Sequence, residues 1–245
     1  MQKNNIRPEF AENQKGISFL NKEIMLKEIL KYQKSGKLLD VGCALGFFLS
    51  FAEKYFETYG IDISDYALKK AREIAPKSKL FVKDAQGEYP FKNNFFDVAV
   101  CFDVVEHLKK PENCIRELYR VLKPKGYLFL QTPAEGSKGI IIDDTHISLF
   151  SEERLKNILK DKGFGIVSFS GRRAVLYFNE ALNKIIKIFS KDKTLAIDNY
   201  DIISGLSGLR MALMKKTKLL IYEIDKIISK FFQAPEMFII ARKGA

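Results

Sequence analysis

The chain has no tryptophan, two histidines, three cysteines and seven prolines in 245 residues. Two histidines exclude a histidine-rich metal centre. Three cysteines (Cys43, Cys101, Cys114) are too few for a disulfide framework, and none stands in a C-x-x-C pair that would suggest zinc. A reducing compartment, the cytoplasm, is the expected location. Long apolar runs are missing too: none approaches the ~18 residues of a membrane span. The opening residues, Met1-Gln2-Lys3-Asn4-Asn5-Ile6-Arg7-Pro8, lack the apolar stretch of a signal peptide. Acidic residues are outnumbered, 30 against 41 Lys and Arg, for a formal net charge of +11. That surplus favours anionic partners such as nucleic acid, anionic lipid or phosphorylated metabolites. It fits equally a lysine-rich surface that meets only water.

What is present begins with a hydrophobic share of 47%, enough for the core of one large α/β domain, or one domain with an elaboration. The most informative segment is Leu38-Leu39-Asp40-Val41-Gly42-Cys43-Ala44-Leu45-Gly46-Phe47-Phe48-Leu49. It reads as a buried strand, a turn of small residues and the start of a helix. A second apolar run, Thr58-Tyr59-Gly60-Ile61, ends in Asp62. A strand entering a glycine turn and a helix N-terminus lets backbone N–H groups approach a nucleotide-like ligand. A carboxylate at the tip of the next strand can then hold a ribose diol. Glycine spacing separates two nucleotide families. A dinucleotide fingerprint G-x-G-x-x-G counted from Gly42 needs its third glycine at Phe47, a bulky apolar residue. The pattern here is D-x-G-x-A-x-G.

Periodicity and punctuation organise the rest. A helix is expected from Phe10 to about Tyr32, with Leu20, Ile24, Leu26, Ile29 and Leu30 near 3.6-residue spacing. Strands are expected at 37–41, ending at Asp62, and at 80–83, 96–101, 127–132, 164–170 and 236–242. Helices are expected at 47–55, at 65–74 behind the N-cap Ser64, at 112–122 opened by Pro111, and from Ser151 to Lys162, closed by Gly163. Strands alternating with helices across short links predict a doubly wound, mostly parallel sheet. Ligands of such sheets sit beyond the C-terminal strand ends, which here carry Asp40–Gly46, Asp62, Asp84, Cys101–Asp103 and Thr132.

Residues 172–234 exceed the hairpin that would join the last two strands. Two stripes, Phe178-Leu182-Ile185-Ile186-Phe189 and Leu209-Leu213-Leu220-Ile224-Ile227-Ile228-Phe231, predict amphipathic helices with Lys and Arg alongside. That is the pattern of a helix at an anionic membrane surface. The alternatives are packing on the core and a homodimer interface. Three parts are expected: 1–35 as an N-terminal helical lid, 36–171 with 235–245 as the core, and 172–234 as a helical insertion before the last strand.

The D-x-G-x-A-x-G turn with Asp62 resembles the first motif of class I S-adenosylmethionine-dependent methyltransferases, with Ala44 where glycine is usual. The run from Phe96 to Leu108 resembles the fourth-strand signature of small-molecule methyltransferases, including ubiquinone-type O-methyltransferases. The resemblance implies a seven-stranded Rossmann-like sheet with an antiparallel last strand, and S-adenosylmethionine as cofactor. It implies that Asp40 and the Gly42–Gly46 turn, Cys43 included, hold the amino-acid end of the cofactor, with backbone N–H groups near its carboxylate. Asp62 would take the ribose hydroxyls and Ile63 would cover the adenine. Asp84 would take the adenine amino group, with the Ala85 N–H facing the ring. Phe102 and Asp103 fall beside the sulfonium and methyl, and His107 is expected to pack beneath the cofactor loop.

His146, between the fifth strand and the next helix, is the candidate general base, because an imidazole of pKa near 6.5 suits removal of a hydroxyl proton. Fixing the loop to the helix is its alternative role. Asp103, Thr132 and Asp143 are the candidate substrate residues, and no metal is assigned. After the fourth strand stands Cys101-Phe102-Asp103-Val104 rather than Asn/Asp-Pro-Pro-Tyr/Phe, and no Pro-Cys pair occurs. Both absences lower the weight of nucleic-acid methylation. The expectation is in-line methyl transfer to a small-molecule or lipid-like acceptor. RNA or protein methylation, and a non-catalytic cofactor-binding regulatory or assembly protein, are the alternatives.

Overall fold

The computed structural model describes residues 17–135, 145–172 and 236–244. Seven strands form one sheet in the order β3-β2-β1-β4-β5-β7-β6. They are β1 (Lys37–Val41), β2 (Glu57–Asp62), β3 (Lys79–Val82), β4 (Phe96–Phe102), β5 (Leu122–Pro133), β6 (Phe164–Arg172) and β7 (Glu236–Lys243). The pairs β1–β2, β1–β4, β2–β3 and β4–β5 run parallel. Leu38, Leu39, Val41, Val98, Val100, Leu128 and Leu130 are buried. Near-continuous apolar runs of this kind suit parallel strands covered on both faces.

From β1 the chain winds outward to β2 and β3, then returns to lay β4 on the other side of β1. The crevice at such a switch point opens at the C-terminal strand ends. Here it is bounded by the turn after Val41 and by Phe102–Asp103.

The helices are α1 (Ile17–Ile29), α2 (Phe47–Ala52), α3 (Asp65–Ile74), α4 (Pro111–Val121) and α5 (Glu152–Asp161). Ser64 and Ser151 cap α3 and α5, each hydroxyl accepting at 3.2 Å from a backbone N–H three residues on. Pro111 stands in the first turn of α4, where its missing N–H costs nothing.

Three elements differ from expectation. The helix after Gly46 stops at Ala52 rather than Tyr55, because Glu57 already donates its N–H to Gly36 O at 2.8 Å as β2 begins. β5 starts at Leu122 instead of Tyr127, with a register shift opposite Phe96–Val98 that absorbs the Lys123–Gly126 turn residues. After β4, the Phe96–Leu108 run that resembles the fourth-strand signature leaves the sheet in a single 3-10 turn, Val105–His107; Pro111 restricts the residue before it and a longer helix cannot run through.

In the N-terminal segment expected as a lid, the second half of α1 packs on the core. Met25, Leu26 and Ile29 share one buried cluster with Leu38, Phe48, Val98, Phe129 and Phe238. Burying each such side chain contributes about 1.5–3 kcal/mol. Backbone contacts divide the chain into two units, one of Met1–Glu135, Ile142–Phe169 and Phe238–Ala245, the other of Gly136–Ile141 and Ser170–Met237. The amphipathic stripes expected in 172–234 lie outside the described residues. No described helix is long and apolar enough to cross a membrane.

Candidate functional site

The turn after β1 has three left-handed residues, Gly42 (φ 74°), Ala44 (φ 46°) and Gly46 (φ 75°). A Cβ at Gly42 would stand 2.3 Å from Val104 Cγ2, and one at Gly46 would stand 2.9 Å from Ala71 Cβ. Gly42 therefore lets the chain after β4 close on the turn, and Gly46 lets α2 meet α3. Ala44 tolerates its left-handed conformation at a cost of about 1–2 kcal/mol.

The turn's backbone donors are mostly spent inside the fold. Gly42 and Cys43 both donate to Ile61 O, at 2.8 and 3.1 Å, and Gly46 donates to Cys43 O at 2.9 Å. Ala44 N–H donates to Asp62 Oδ2 at 2.9 Å. The N–H groups of Gly42, Cys43, Ala44 and Gly46 are thus engaged within the fold, beside the expectation that N–H groups of the Gly42–Gly46 turn lie near the cofactor's carboxylate. A buried turn has to satisfy its own amides first.

Asp62 is clamped from both sides: Oδ2 by Ala44, and Oδ1 by Ser64 N–H at 2.8 Å. Burial pushes its carboxyl above the usual range, opposed by the backbone N–H groups of Ser64, Ala44 and Ile63. With one oxygen held by Ala44 and the other by Ser64, the carboxylate is fixed in orientation, as recognition of a vicinal diol requires. The neighbouring Ile63 is 50% exposed, an apolar face beside that carboxylate. Asp84 is exposed and closes its own turn by accepting from Gln86 N–H at 2.9 Å. Ala85 O takes the Tyr89 hydroxyl at 2.9 Å, which fixes the loop.

Asp40 is buried at the end of β1, and burial raises its carboxyl to about 7; Lys22 opposes the rise and Asp62 adds to it. Lys22 reaches in from α1, over the Phe47 ring at 5.6 Å. Burial lowers its ammonium's pKa, against the pull of Asp40, Asp103 and Cys43. Cys43 is buried and its thiol is raised well above the ordinary value, by burial and then by Asp40 and Asp62. Sequence reasoning missed Lys22. The signal was there: Lys22, Met25, Leu26 and Ile29 follow the i, i+3, i+4, i+7 stripe of a buried face, and a lysine in that stripe needs an acidic partner.

Across the crevice, Phe102 packs edge-on against Phe48 at 5.4 Å and near-parallel to Phe238 at 6.3 Å. Asp103 follows in a left-handed conformation (φ 57°). Its N–H donates to Gln131 O at 3.0 Å, and its carboxylate accepts from Gln131 Nε2 at 3.1 and 3.3 Å. Thr132 is fully buried, and its hydroxyl donates to Glu106 Oε2 at 3.1 Å. Glu106 is itself 1% exposed. Its carbonyl accepts from Ile147 and Ser148 N–H, both at 2.9 Å, which draws the loop after Thr145 onto the 3-10 turn.

The two histidines meet with ring centroids 4.8 Å apart. His107 is exposed, with Nδ1 at 3.0 Å from the Thr145 carbonyl and 3.1 Å from its hydroxyl. It anchors this loop rather than packing beneath the cofactor turn. Glu106, His107 and His146 each place one ligand-type atom within 4.8 Å of the others, a donor set suited by type to a divalent cation, although none was assigned from sequence. Asp143 lies outside the described residues. Glu106 and Gln131 were missed, being polar residues inside apolar runs whose partners are distant in sequence.

Known proteins share this layout. A family profile described as a methyltransferase domain matches residues 17–168, more than half of the chain. A ubiquinone biosynthesis O-methyltransferase of Azoarcus sp. (strain BH72) is 29% identical over 155 residues, 55% of this chain and 66% of that protein. Sterol methyltransferase-like 3 of Botryococcus braunii is 33% identical over 119 residues, 44% of this chain and 29% of that one. The chain thus spans under two thirds of the length of these curated relatives. A SAM-dependent methyltransferase from Archaeoglobus fulgidus superposes with a TM-score of 0.64 at 21% identity, covering 97% of this chain and all of that one. With a matching profile over the whole site and the same fold, the chain belongs to the methyltransferase-domain family of S-adenosylmethionine-dependent methyltransferases.

Proposed function

We propose that this chain moves the methyl group of S-adenosylmethionine in line to a small-molecule or lipid-like acceptor. The observation that carries the reading is the clamped Asp62 carboxylate beside the exposed Ile63 at the C-terminal end of β2, with Asp103 and the cluster of Glu106, His107 and His146 following β4. The first suits a ribose and adenine; the second suits an acceptor. The relatives named for ubiquinone biosynthesis and for sterols support a lipid-like acceptor.

Bound S-adenosylmethionine supplies a methyl already activated on sulfonium, so the chain's own residues supply alignment and water exclusion. Asp62 takes the ribose hydroxyls, Asp84 and Ala85 the adenine edge, and Ile63 its face. Asp40 and Lys22 meet the charged amino-acid end; Lys22 offers the carboxylate a cation that the turn's spent N–H groups do not. Phe102 walls the methyl, Asp103 orients the acceptor, and His146 takes the acceptor's proton where one must leave. We place the reaction in the cytoplasm, with residues 172–234 meeting a lipid surface or a second copy. Sedimentation with anionic vesicles at low salt, beside light scattering, checks that last assignment.

The test is incubation with radiolabelled S-adenosylmethionine and fractionated cell extract. Label in a small-molecule or lipid fraction is expected. Label confined to RNA or protein overturns the acceptor class, and no binding of the cofactor overturns the whole reading.

A further inference from the structure

Both histidines of the chain stand in one place. With the Glu106 carboxylate they bring three ligand-type atoms within 4.8 Å of one another. Two segments supply them: the 3-10 turn after β4 carries Glu106 and His107, and the loop after β5 carries His146. These segments are pinned to each other next to the cluster. Ile147 and Ser148 N–H donate to Glu106 O, both at 2.9 Å, and Ser148 Oγ donates to Leu108 O at 2.7 Å. Two of the three side chains are also oriented by a further residue. The Thr132 hydroxyl donates to Glu106 Oε2 at 3.1 Å, and His107 Nδ1 stands 3.0 Å from the Thr145 carbonyl. A carbonyl only accepts, which assigns the proton to Nδ1 and leaves the ring's lone pair on Nε2. Hydrogen bonds of this kind, to the second nitrogen of a histidine and to a carboxylate, are what hold metal ligands in position.

We propose that Glu106, His107 and His146 bind one zinc-type dication, and that its open position takes the hydroxyl oxygen of the methyl acceptor. One carboxylate and two imidazoles are ligand types that such an ion prefers, whereas Mg²⁺ and Ca²⁺ take mostly oxygen. Three protein ligands with a fourth position left for water or substrate is the pattern of a catalytic ion rather than a structural one. A tetrahedral ion with bonds of about 2.0–2.2 Å spaces its ligand atoms roughly 3.4 Å apart, so the cluster closes by about 1.4 Å at most. His107 is exposed, which gives its ring room to turn and an ion a way in from solvent. Glu106 lies just beyond the C-terminal end of β4, the end at which sheets of this kind bind ligands. The ion's part in the reaction rests on the methyltransferase reading above; the site itself does not. Bound to the ion, the acceptor's hydroxyl has a lowered pKa, as metal-bound water does. Its proton leaves to water, the oxygen's pair forms the O–C bond, and the pair of the breaking C–S bond stays on sulfur. His146 is then a ligand, and water takes the proton that the reading above gave to it.

The experiment uses the full chain without a histidine tag, stripped with chelator, then titrated with Zn²⁺ by calorimetry and with Co²⁺ by absorption spectroscopy. One equivalent of Zn²⁺ is expected at micromolar Kd or tighter, with visible Co²⁺ bands that Zn²⁺ removes and millimolar Mg²⁺ leaves in place. His107→Ala and His146→Ala should each weaken Zn²⁺ at least tenfold, and Zn²⁺ should raise the melting temperature of the natural chain but of neither variant. The exposed His107 makes its variant the safe one for folding, checked by the melting temperature of the metal-free forms. Absence of Zn²⁺ binding, or binding that both variants retain, overturns the site. In parallel, transfer from S-adenosylmethionine carrying a 13C methyl group into fractionated extract should fall on chelation, return with Zn²⁺, and place the methyl on oxygen. Transfer that ignores chelation, or a methyl on nitrogen or carbon, overturns the ion's part in the reaction. Failure of the chain to bind S-adenosylmethionine overturns the methyltransferase reading and that part with it, while the Zn²⁺ titration decides the site by itself.

Discussion

The backbone N–H of Ala44 donates to Asp62 Oδ2 at 2.9 Å, so the turn after β1 and the tip of β2 are one unit. A change at Asp62 is therefore felt twice, in the ligand and in the turn. Asp62→Ala should weaken S-adenosylmethionine binding by about ten- to hundredfold, the ~1.5–3 kcal/mol of charge-assisted hydrogen bonds to two hydroxyls. It should also lower the melting temperature, because the Ala44 and Ser64 N–H groups lose their acceptor. Calorimetry reads the first effect and a thermal melt the second; unchanged affinity would remove Asp62 from the site.

Gly42 and Val104 form a second coupled pair. Gly42→Ala combines a left-handed alanine, ~1–2 kcal/mol, with a contact to Val104 Cγ2 far inside van der Waals distance. Adding Val104→Ala should restore the part due to the contact and leave the part due to φ. A double-mutant cycle in urea should show coupling of about 0.5–3 kcal/mol. Strict additivity would mean that the backbone moves away instead.

Asp40 makes stability depend on pH. Its carboxyl is raised by burial from 3.8 to about 7, so between those values the folded chain binds a proton that the unfolded chain has lost. This contribution is fully present below about pH 4, falls as pH rises toward 7, and is flat above. Asp40→Asn should flatten that part of the curve and gain on the natural chain between pH 5 and pH 8 in thermal melts. Lys22→Met should push the falling limb to higher pH, since Lys22 opposes the rise. An unchanged pH curve in Asp40→Asn would contradict the burial argument.

The histidines divide the work. His107 is exposed and holds Thr145, so His107→Ala should cost little global stability, under ~1 kcal/mol. It should speed hydrogen exchange at Ile147 and Ser148, whose N–H groups bind Glu106 O. His146→Ala should lower turnover and leave cofactor affinity unchanged. Full activity in that variant would make His146 a loop residue only.

Much of this was readable in one dimension. The apolar runs of β1 and β4, the caps Ser64 and Ser151, Pro111 at the head of α4 and the D-x-G-x-A-x-G spacing each act over a few residues. Local pattern therefore determined the sheet elements and the crevice, while the cofactor class followed from the family resemblance that the motif carries. Tertiary structure decided where polar groups found partners. It placed Lys22 beside Asp40 and Asp103, spent the turn's N–H groups on Ile61 and Asp62, buried Thr132 behind Glu106, and joined His107 to Thr145 across 38 residues. Hydrophobic period and capping are short-range signals. Whether a buried donor or acceptor is satisfied depends on every chain segment that reaches it.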